Sequence, residues 1–142
     1  EFKYLDINGE KHVTATGRVT TGDMGYLDEK GILYISGRRK DLIIRGGVNI
    51  SPLEIEAAIL EMPGIAEVAA IGIEDKIYGE GVAALVVLQQ PCSIMPEDVI
   101  NHCKQKLSEV KIPATVRILS SLPKTDRGKL DRKSLKELWS EE

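Results

Sequence analysis

The sequence predicts an α+β domain in which a small β-sheet packs against about three helices. Residues 82–88 are apolar throughout, which is typical of a strand covered on both faces. A well-marked helix start at Ser51 follows a short apolar run, and helical and strand-like segments then alternate along the chain. With 142 residues, 42% of them hydrophobic, the chain can form one domain, or one domain and part of another.

Two β-hairpins are predicted before residue 37. Asn8-Gly9 is a favoured pair for a tight two-residue turn, and it predicts a hairpin over residues 2–16. The polar segment 28–31, which ends in glycine, predicts the turn of a second hairpin over residues 19–36.

Residues 37–56 organise the rest of the chain. A charged turn at 37–41 is followed by a short apolar strand at 42–44 and by the glycine pair Gly46-Gly47. On spacing alone, an ordinary β-loop-α junction accounts for this order of elements. The glycines then serve only as a bend before a helix.

A helix is predicted over residues 52–62. Ser51-Pro52-Leu53-Glu54 has the pattern of a capping box with proline at the first helical position, and Ile50 and Ile55 can form a hydrophobic staple across it. Pro63-Gly64 ends the helix. Two strands are then predicted at 66–73 and 82–88, and the polar loop between them, 74–81, is too long for a tight turn. They are followed by a helix after Pro96, a strand at 114–119 and a short helix capped by Ser134.

The composition argues against nucleic acid or an anionic membrane as the main partner. The net charge is −3, and the basic residues gather locally at 38–45 and 124–136. No apolar run reaches membrane-spanning length, and no signal peptide opens the chain. Because the chain begins without methionine in strand-like material, we expect it to be a piece of a longer protein.

The cysteines and histidines predict no metal site. Cys92 and Cys103 are the only cysteines, and neither they nor His12 and His102 have metal-ligand spacing. Free thiols are typical of a reducing compartment, so a cytoplasmic location is expected.

Three segments resemble signature motifs of the adenylate-forming enzymes, which include acyl-CoA synthetases, peptide-synthetase adenylation domains and luciferases. Thr21-Gly22-Asp23 resembles the motif that meets the ATP ribose. The segment 37–41, Gly-Arg-Arg-Lys-Asp, resembles the hinge motif, and 122–129, Leu-Pro-Lys-Thr-Asp-Arg-Gly-Lys, resembles the C-terminal lysine motif. The segment 42–52 looks more like the fatty- or aryl-acid CoA ligases than the peptide-synthetase domains.

This resemblance implies a domain division and a reaction. Residues 1–39 would be the tail end of the large adenylation domain, and residues 40–142 the mobile C-terminal lid domain. The whole enzyme would join a carboxylic acid to CoA through an acyl adenylate, converting ATP to AMP and pyrophosphate. The phosphate-binding loop, the acyl pocket and the ligands of Mg²⁺ would lie outside this chain, so the chain alone is expected to be inactive without its own N-terminal domain.

The resemblance also implies roles for six residues. Lys129 would be the catalytic cation near the α-phosphate and acyl oxygens, where its flexible stem suits a moving domain. Asp23 would accept hydrogen bonds from the ribose hydroxyls, and Arg38 would contact the nucleotide. Lys40 would be the hinge residue, and Gly46 and Gly47 would let the pantetheine arm of CoA pass against bare backbone.

Other functions remain open at this point. The thiol acceptor could belong to a carrier protein instead of CoA. The chain could also be a non-catalytic α+β interaction module in which Lys129 is simply a solvated lysine. The basic segment 124–136 is the only support for a nucleic-acid binder, and low aromatic content and negative net charge argue against one.

Overall fold

The structure, a computed structural model, describes residues 20–90 and 93–140. The chain divides between Lys40 and Asp41 into two compact units. This division falls one residue after the boundary expected from the sequence. The hairpin predicted over residues 2–16 lies outside the described residues, as do His12 and Cys92.

The first unit contains the second predicted hairpin. Strands β1 (Asp23–Leu27) and β2 (Leu33–Arg38) pair antiparallel. The carboxylate of Asp28 fixes their turn, because its Oδ1 accepts hydrogen bonds from the backbone N–H groups of Lys30 and Ile32, both at 2.9 Å. Gly31 supplies the positive φ of +77° that the turn requires. This hairpin is therefore confirmed.

Within its described residues, the second unit is built on a five-stranded sheet. The central strand pairs antiparallel with the strand before it along its whole length, and its other edge pairs in parallel with the last strand. The strands are β3 (Ile43–Arg45), β4 (Val48–Ile50), β5 (Ile65–Asp75), the central β6 (Gly79–Leu88) and β7 (Thr115–Leu119). β3 joins β6 at Gly79 and pairs antiparallel with β4.

Helices cover both faces of this sheet. They are α1 (Pro52–Leu60), α2 (Pro96–Lys106) and α3 (Arg132–Ser140). One buried cluster joins Ile55 and Ile59 of α1 and Val99 of α2 to the sheet, and a second cluster joins Leu135 of α3 to the opposite face. Residues 81–86 of β6 are buried without interruption, as expected for a strand covered on both sides. The predicted α+β class is confirmed.

The prediction of a long loop at 74–81 is wrong. β5 and β6 continue through it and leave only residues 76–78 between them. The Oδ1 atom of Asp75 accepts hydrogen bonds at 2.8 Å from the N–H groups of both Ile77 and Tyr78, and these bonds lower the pKa of Asp75. Gly79 then turns the chain with a φ of +80°. A polar segment that reads as a loop is therefore a compact hairpin turn.

The start of α1 differs from the prediction in one respect. Pro52 occupies the first turn, and Ile50 and Ile55 are both fully buried in one cluster. The capping box does not form, since Ser51 makes no side-chain capping bond to the helix. The Glu54 carboxylate instead accepts a hydrogen bond at 2.7 Å from Lys111 Nζ. An ion pair to a distant segment has replaced the local bond.

No helix in the described residues is long and apolar enough to cross a membrane. Cys103 is a free, buried thiol, and burial raises its pKa to about 11. A thiol with a raised pKa forms little of the reactive thiolate at neutral pH.

Candidate functional site

Lys129 lies on a tight turn between β7 and α3. The Thr125 carbonyl accepts a hydrogen bond from Gly128 N (2.8 Å), and Thr125 N donates to the Lys129 carbonyl (2.7 Å). The Thr125 hydroxyl also accepts from Lys129 N at 3.3 Å. Gly128 has a φ of +76°, which favours glycine. The backbone that carries Lys129 is therefore held by its own hydrogen bonds.

The side chain of Lys129 is available to a ligand. Lys129 is exposed, and within residues 20–90 and 93–140 its ammonium has no ion-pair or hydrogen-bond partner. Lys124, at the start of the same turn, differs because its Nζ is 3.0 Å from Glu67 Oε1. The turn thus presents the uncommitted ammonium of Lys129 on a hydrogen-bonded backbone, and Arg127 on the same turn is likewise exposed and has no partner among the described residues.

Asp131 anchors the turn to α3. Its N–H donates to the Pro123 carbonyl at 3.0 Å, which closes the base of the turn. Its carboxylate accepts hydrogen bonds from Ser134 Oγ (2.8 Å) and Ser134 N (3.2 Å), and these bonds lower the pKa of Asp131. The helix cap predicted at Ser134 is therefore wrong. Asp131 caps the helix and Ser134 is its partner.

In the first unit, the structure brings Asp23 and Arg38 together. They are direct cross-strand neighbours in β1 and β2, and Arg38 Nε lies 3.2 Å from Asp23 Oδ1. Both side chains remain accessible, at 37% exposed for Asp23 and 55% for Arg38. A carboxylate has several acceptor positions, so one ion pair leaves Asp23 able to accept further hydrogen bonds.

The predicted hinge residue lies at the division between the units. Lys40 is exposed and belongs to a short 3-10 helix, Arg39–Asp41. Lys40 is the last residue of the first unit and Asp41 is the first residue of the second.

Gly46 and Gly47 form the two-residue turn of the β3–β4 hairpin. Their φ values of 56° and 83° are both positive, as a type I′ turn requires. The sequence analysis missed β4, and with it this turn. Gly46 N donates a hydrogen bond to the Tyr78 carbonyl at 2.8 Å, which ties the hairpin to the β5–β6 turn.

Sequence reasoning also missed Arg45 as a support of this hairpin. Its guanidinium lies 5.1 Å from the centre of the Tyr78 ring, and its Nη1 donates to the Val110 carbonyl at 2.9 Å. No local signal marks these contacts, because Val110 is 65 residues away from Arg45 in the sequence.

No group of three or more histidine, cysteine, aspartate or glutamate side chains in the described part of the chain could hold a metal ion. The first unit offers a carboxylate–guanidinium pair, and the second unit offers an uncommitted lysine and a glycine hairpin.

Comparison with known proteins identifies the family. Residues 54–129 match the AMP-binding enzyme C-terminal domain. This chain belongs to that family. The matched segment runs from the first turn of α1 to Lys129, so it includes most of the second unit.

The curated relatives of this AMP-binding domain include CoA ligases. The chain is 41% identical over 134 residues to sulfoacetate–CoA ligase from Cupriavidus necator, a match that covers 94% of this chain and 26% of the relative. The chain thus spans about a quarter of the length of the curated relatives it matches.

Solved structures share the fold. ATP-bound MatB from Rhodopseudomonas palustris superposes with a TM-score of 0.85 at 38% identity, covering 90% of this chain and 25% of MatB. The o-succinylbenzoate CoA synthetase of Bacillus subtilis, in complex with its acyl-adenylate intermediate, gives a TM-score of 0.79 at 43% identity, covering 87% of this chain and 25% of the synthetase. The resemblance to adenylate-forming enzymes is therefore confirmed, while the roles of individual residues stay predictions.

Proposed function

We propose that this chain is the C-terminal portion of an ATP-dependent acyl-CoA ligase. The whole enzyme converts a carboxylic acid, ATP and CoA into an acyl-CoA thioester, AMP and pyrophosphate. CoA ligases among the relatives support this reaction class. Residues 1–39 then belong to the end of the large adenylation domain, and residues 40–142 form the mobile lid.

The observation that carries the proposal is the uncommitted ammonium of Lys129 on its hydrogen-bonded turn. Adenylation brings two anions together, since a carboxylate must attack the α-phosphate of ATP. A cation placed where this charge accumulates stabilises the transition state more than the separated reactants. Lys129 supplies that cation when the lid faces the nucleotide.

Asp23 and Arg38 serve the nucleotide in this proposal. Asp23 accepts hydrogen bonds from the two ribose hydroxyls, and its ion pair with Arg38 orients the carboxylate for that task. Arg38 remains exposed enough to contact the nucleotide as well. Mg²⁺ enters as the partner of ATP, with its ligands outside this chain.

Lys40 is the hinge on which the lid rotates between the two half-reactions. One orientation presents Lys129 for adenylation. The other presents the hairpin turn at Gly46 and Gly47, where the pantetheine arm of CoA passes along backbone without side chains. A hinge needs only a few residues that absorb a backbone change, and Lys40 is exposed at the boundary between the units.

The identity of the acid is not assigned, because the relatives named above act on chemically different acids, sulfoacetate and succinylbenzoate. CoA is the proposed acceptor. The proposed location is cytoplasmic, as free cysteines are typical of a reducing compartment.

The test uses the intact protein with ATP, Mg²⁺ and a panel of carboxylic acids, offered either CoA or a phosphopantetheinylated carrier protein. We expect acid-dependent AMP formation with CoA, and a CoA thioester detected by mass spectrometry. Acylation of the carrier alone would support the adenylation-domain alternative. If no acid in a broad panel supports AMP formation, the non-catalytic alternative is favoured. This chain expressed alone is the negative control.

A further inference from the structure

Glu56 is the buried charged side chain of the described residues, at 8% exposed. It lies in α1, and its partner is Arg132, the first residue of α3. Arg132 Nη1 donates to Glu56 Oε1 at 2.7 Å and Nη2 donates to Oε2 at 3.1 Å. This two-pronged geometry is the strongest that arginine and carboxylate form, and lysine cannot reproduce it.

The pair also completes the edge of the sheet. β5 is the end strand, and the outward peptide groups of Ala70 have no neighbouring strand in the described sheet. Ala70 N donates to Glu56 Oε1 at 2.8 Å, and Arg132 Nη1 donates to the Ala70 carbonyl at 2.8 Å. One carboxylate and one guanidinium thus replace the acceptor and donor of a missing strand. The pair therefore connects α1, β5 and α3 through direct hydrogen bonds.

Arg132 also connects the Lys129 turn to the segment beside the proposed hinge. It lies three residues after Lys129, and its Nε is 3.8 Å from Asp41 Oδ2. Asp41 directly follows Lys40. The guanidinium therefore links the base of the Lys129 turn to the residue next to the proposed hinge.

We propose that Arg132 is a positioning residue for the adenylation half-reaction. It holds the Lys129 turn in a fixed place relative to Asp41, so that rotation at the hinge carries Lys129 as part of a rigid body to the acyl and phosphate oxygens. This inference rests on the proposed function. Without this link the Lys129 ammonium is unchanged chemically but occupies a wider range of positions. A misplacement of about 1 Å can lower the rate about 100-fold.

The test uses the intact enzyme with Arg132→Lys, which keeps the positive charge and removes the paired hydrogen bonds to Glu56. Two rates are measured: acid-dependent ATP–pyrophosphate exchange, and CoA thioester formation from preformed acyl adenylate. Glu56→Gln, which keeps the shape of the carboxylate, is the second variant. Val99→Ala is the control, since Val99 is fully buried in α2, its side chain makes none of the hydrogen bonds of this network, and its truncation lowers stability.

We expect Arg132→Lys to slow exchange between about 10- and 100-fold, while thioester formation stays within about two-fold of wild type. Glu56→Gln should show the same split. Hydrogen exchange should also speed up at Thr125 N and Gly128 N, the bonded amides of the turn. Val99→Ala should lower the melting temperature without producing either effect.

Unchanged exchange in folded Arg132→Lys and Glu56→Gln overturns the inference, as does an equal fall in both half-reactions. The same split in Val99→Ala also overturns it, because a general loss of stability would then be sufficient. Failure of the proposed function has a separate sign. In that case the wild-type enzyme shows no acid-dependent exchange with any acid, or Lys129→Ala leaves exchange intact, whatever the Arg132 variants do.

Discussion

At the scale of single residues, the turn that carries Lys129 depends on the backbone conformation of Gly128. Gly128 has a φ of +76°, yet a Cβ atom built there meets nothing within 4 Å. The requirement for glycine is therefore conformational and not steric. Residues that tolerate the left-handed region should be accepted at this position, and others should not.

Gly128→Ala and Gly128→Asn form a matched pair for this claim. Alanine in the left-handed region should lower the free energy of unfolding by about 1 kcal/mol. Asparagine should cost less, because its short polar side chain makes that region accessible. The measurement is urea unfolding of each variant of this chain, together with pyrophosphate exchange in the intact enzyme. Equal losses for the two variants would show that the cause is not the φ angle.

At the scale of the element, the β3–β4 hairpin separates two explanations of Gly46 and Gly47. Their positive φ values are sufficient to explain glycine at both positions, with no ligand involved. Asn-Gly satisfies the same type I′ turn, and a Cβ at Gly46 meets only Tyr78 Cδ1, at 3.4 Å. Gly46→Asn should therefore preserve the hairpin while adding a side chain where pantetheine would pass.

If the turn lines the path of the thiol, Gly46→Asn should reduce thioester formation from preformed adenylate by about 10-fold or more. Pyrophosphate exchange should be unchanged, since in the proposed function that half-reaction uses the other orientation of the lid. Normal thioester formation in a folded Gly46→Asn enzyme would mean that the glycines serve the hairpin alone.

The cap of α3 should make the stability of this chain depend on pH. Hydrogen bonds from Ser134 hold the pKa of Asp131 below its ordinary value of 3.8. A carboxylate whose pKa is lower in the folded state stabilises the fold above its unfolded pKa, and this contribution is lost as the pH falls through the folded pKa. Asp131→Asn keeps a capping oxygen but does not titrate.

Wild type should therefore be more stable than Asp131→Asn at pH 7, and the two should converge as the pH falls below 3.8. Urea unfolding of both chains between pH 7 and pH 3, followed by circular dichroism, measures the difference. Other carboxylates titrate in both chains and cancel. A difference that stays constant with pH would rule out the ionised carboxylate as its cause.

Elements with a strong local signal could be predicted from the sequence. The hairpin turn at residues 28–31, the apolar run of β6 and Pro52 at the start of α1 each carry their signal within a few residues. The prediction of a long loop at 74–81 was wrong because hydrogen bonds to Asp75 and the positive φ of Gly79 form a short turn within this polar segment. The capping box was wrong because Glu54 has a better partner in Lys111, 57 residues away.

The candidate site shows the same limit. Lys129, Asp23 and Arg38 stand in recognisable motifs, so the resemblance could point to them. The pairing of Glu56 with Arg132 joins residues that are 76 positions apart, and nothing in the local pattern of either one predicts the other. Contacts that position a site are set by tertiary packing, which a single sequence does not display.

At the scale of the whole molecule, we propose that the second unit moves as one lid with two working surfaces. The buried Glu56–Arg132 pair and the two hydrophobic clusters fix α1, α3 and the sheet to one another. The Lys129 turn and the Gly46-Gly47 hairpin are carried by that body, and the division between units falls at Lys40 and Asp41. In the proposed function, rotation at Lys40 would exchange one surface for the other without unfolding the lid.

The most direct test of this account is the Lys129→Ala variant of the intact enzyme, assayed in the two half-reactions. Lys133→Ala is the control, because Lys133 is a nearby lysine whose side chain is 88% exposed and forms only a solvated ion pair with Glu137, at 3.9 Å. We predict that Lys129→Ala lowers acid-dependent pyrophosphate exchange by about 100-fold or more, while thioester formation from preformed adenylate remains near wild type. Lys133→Ala should leave both rates unchanged. Exchange at the wild-type rate in folded Lys129→Ala would contradict the central claim.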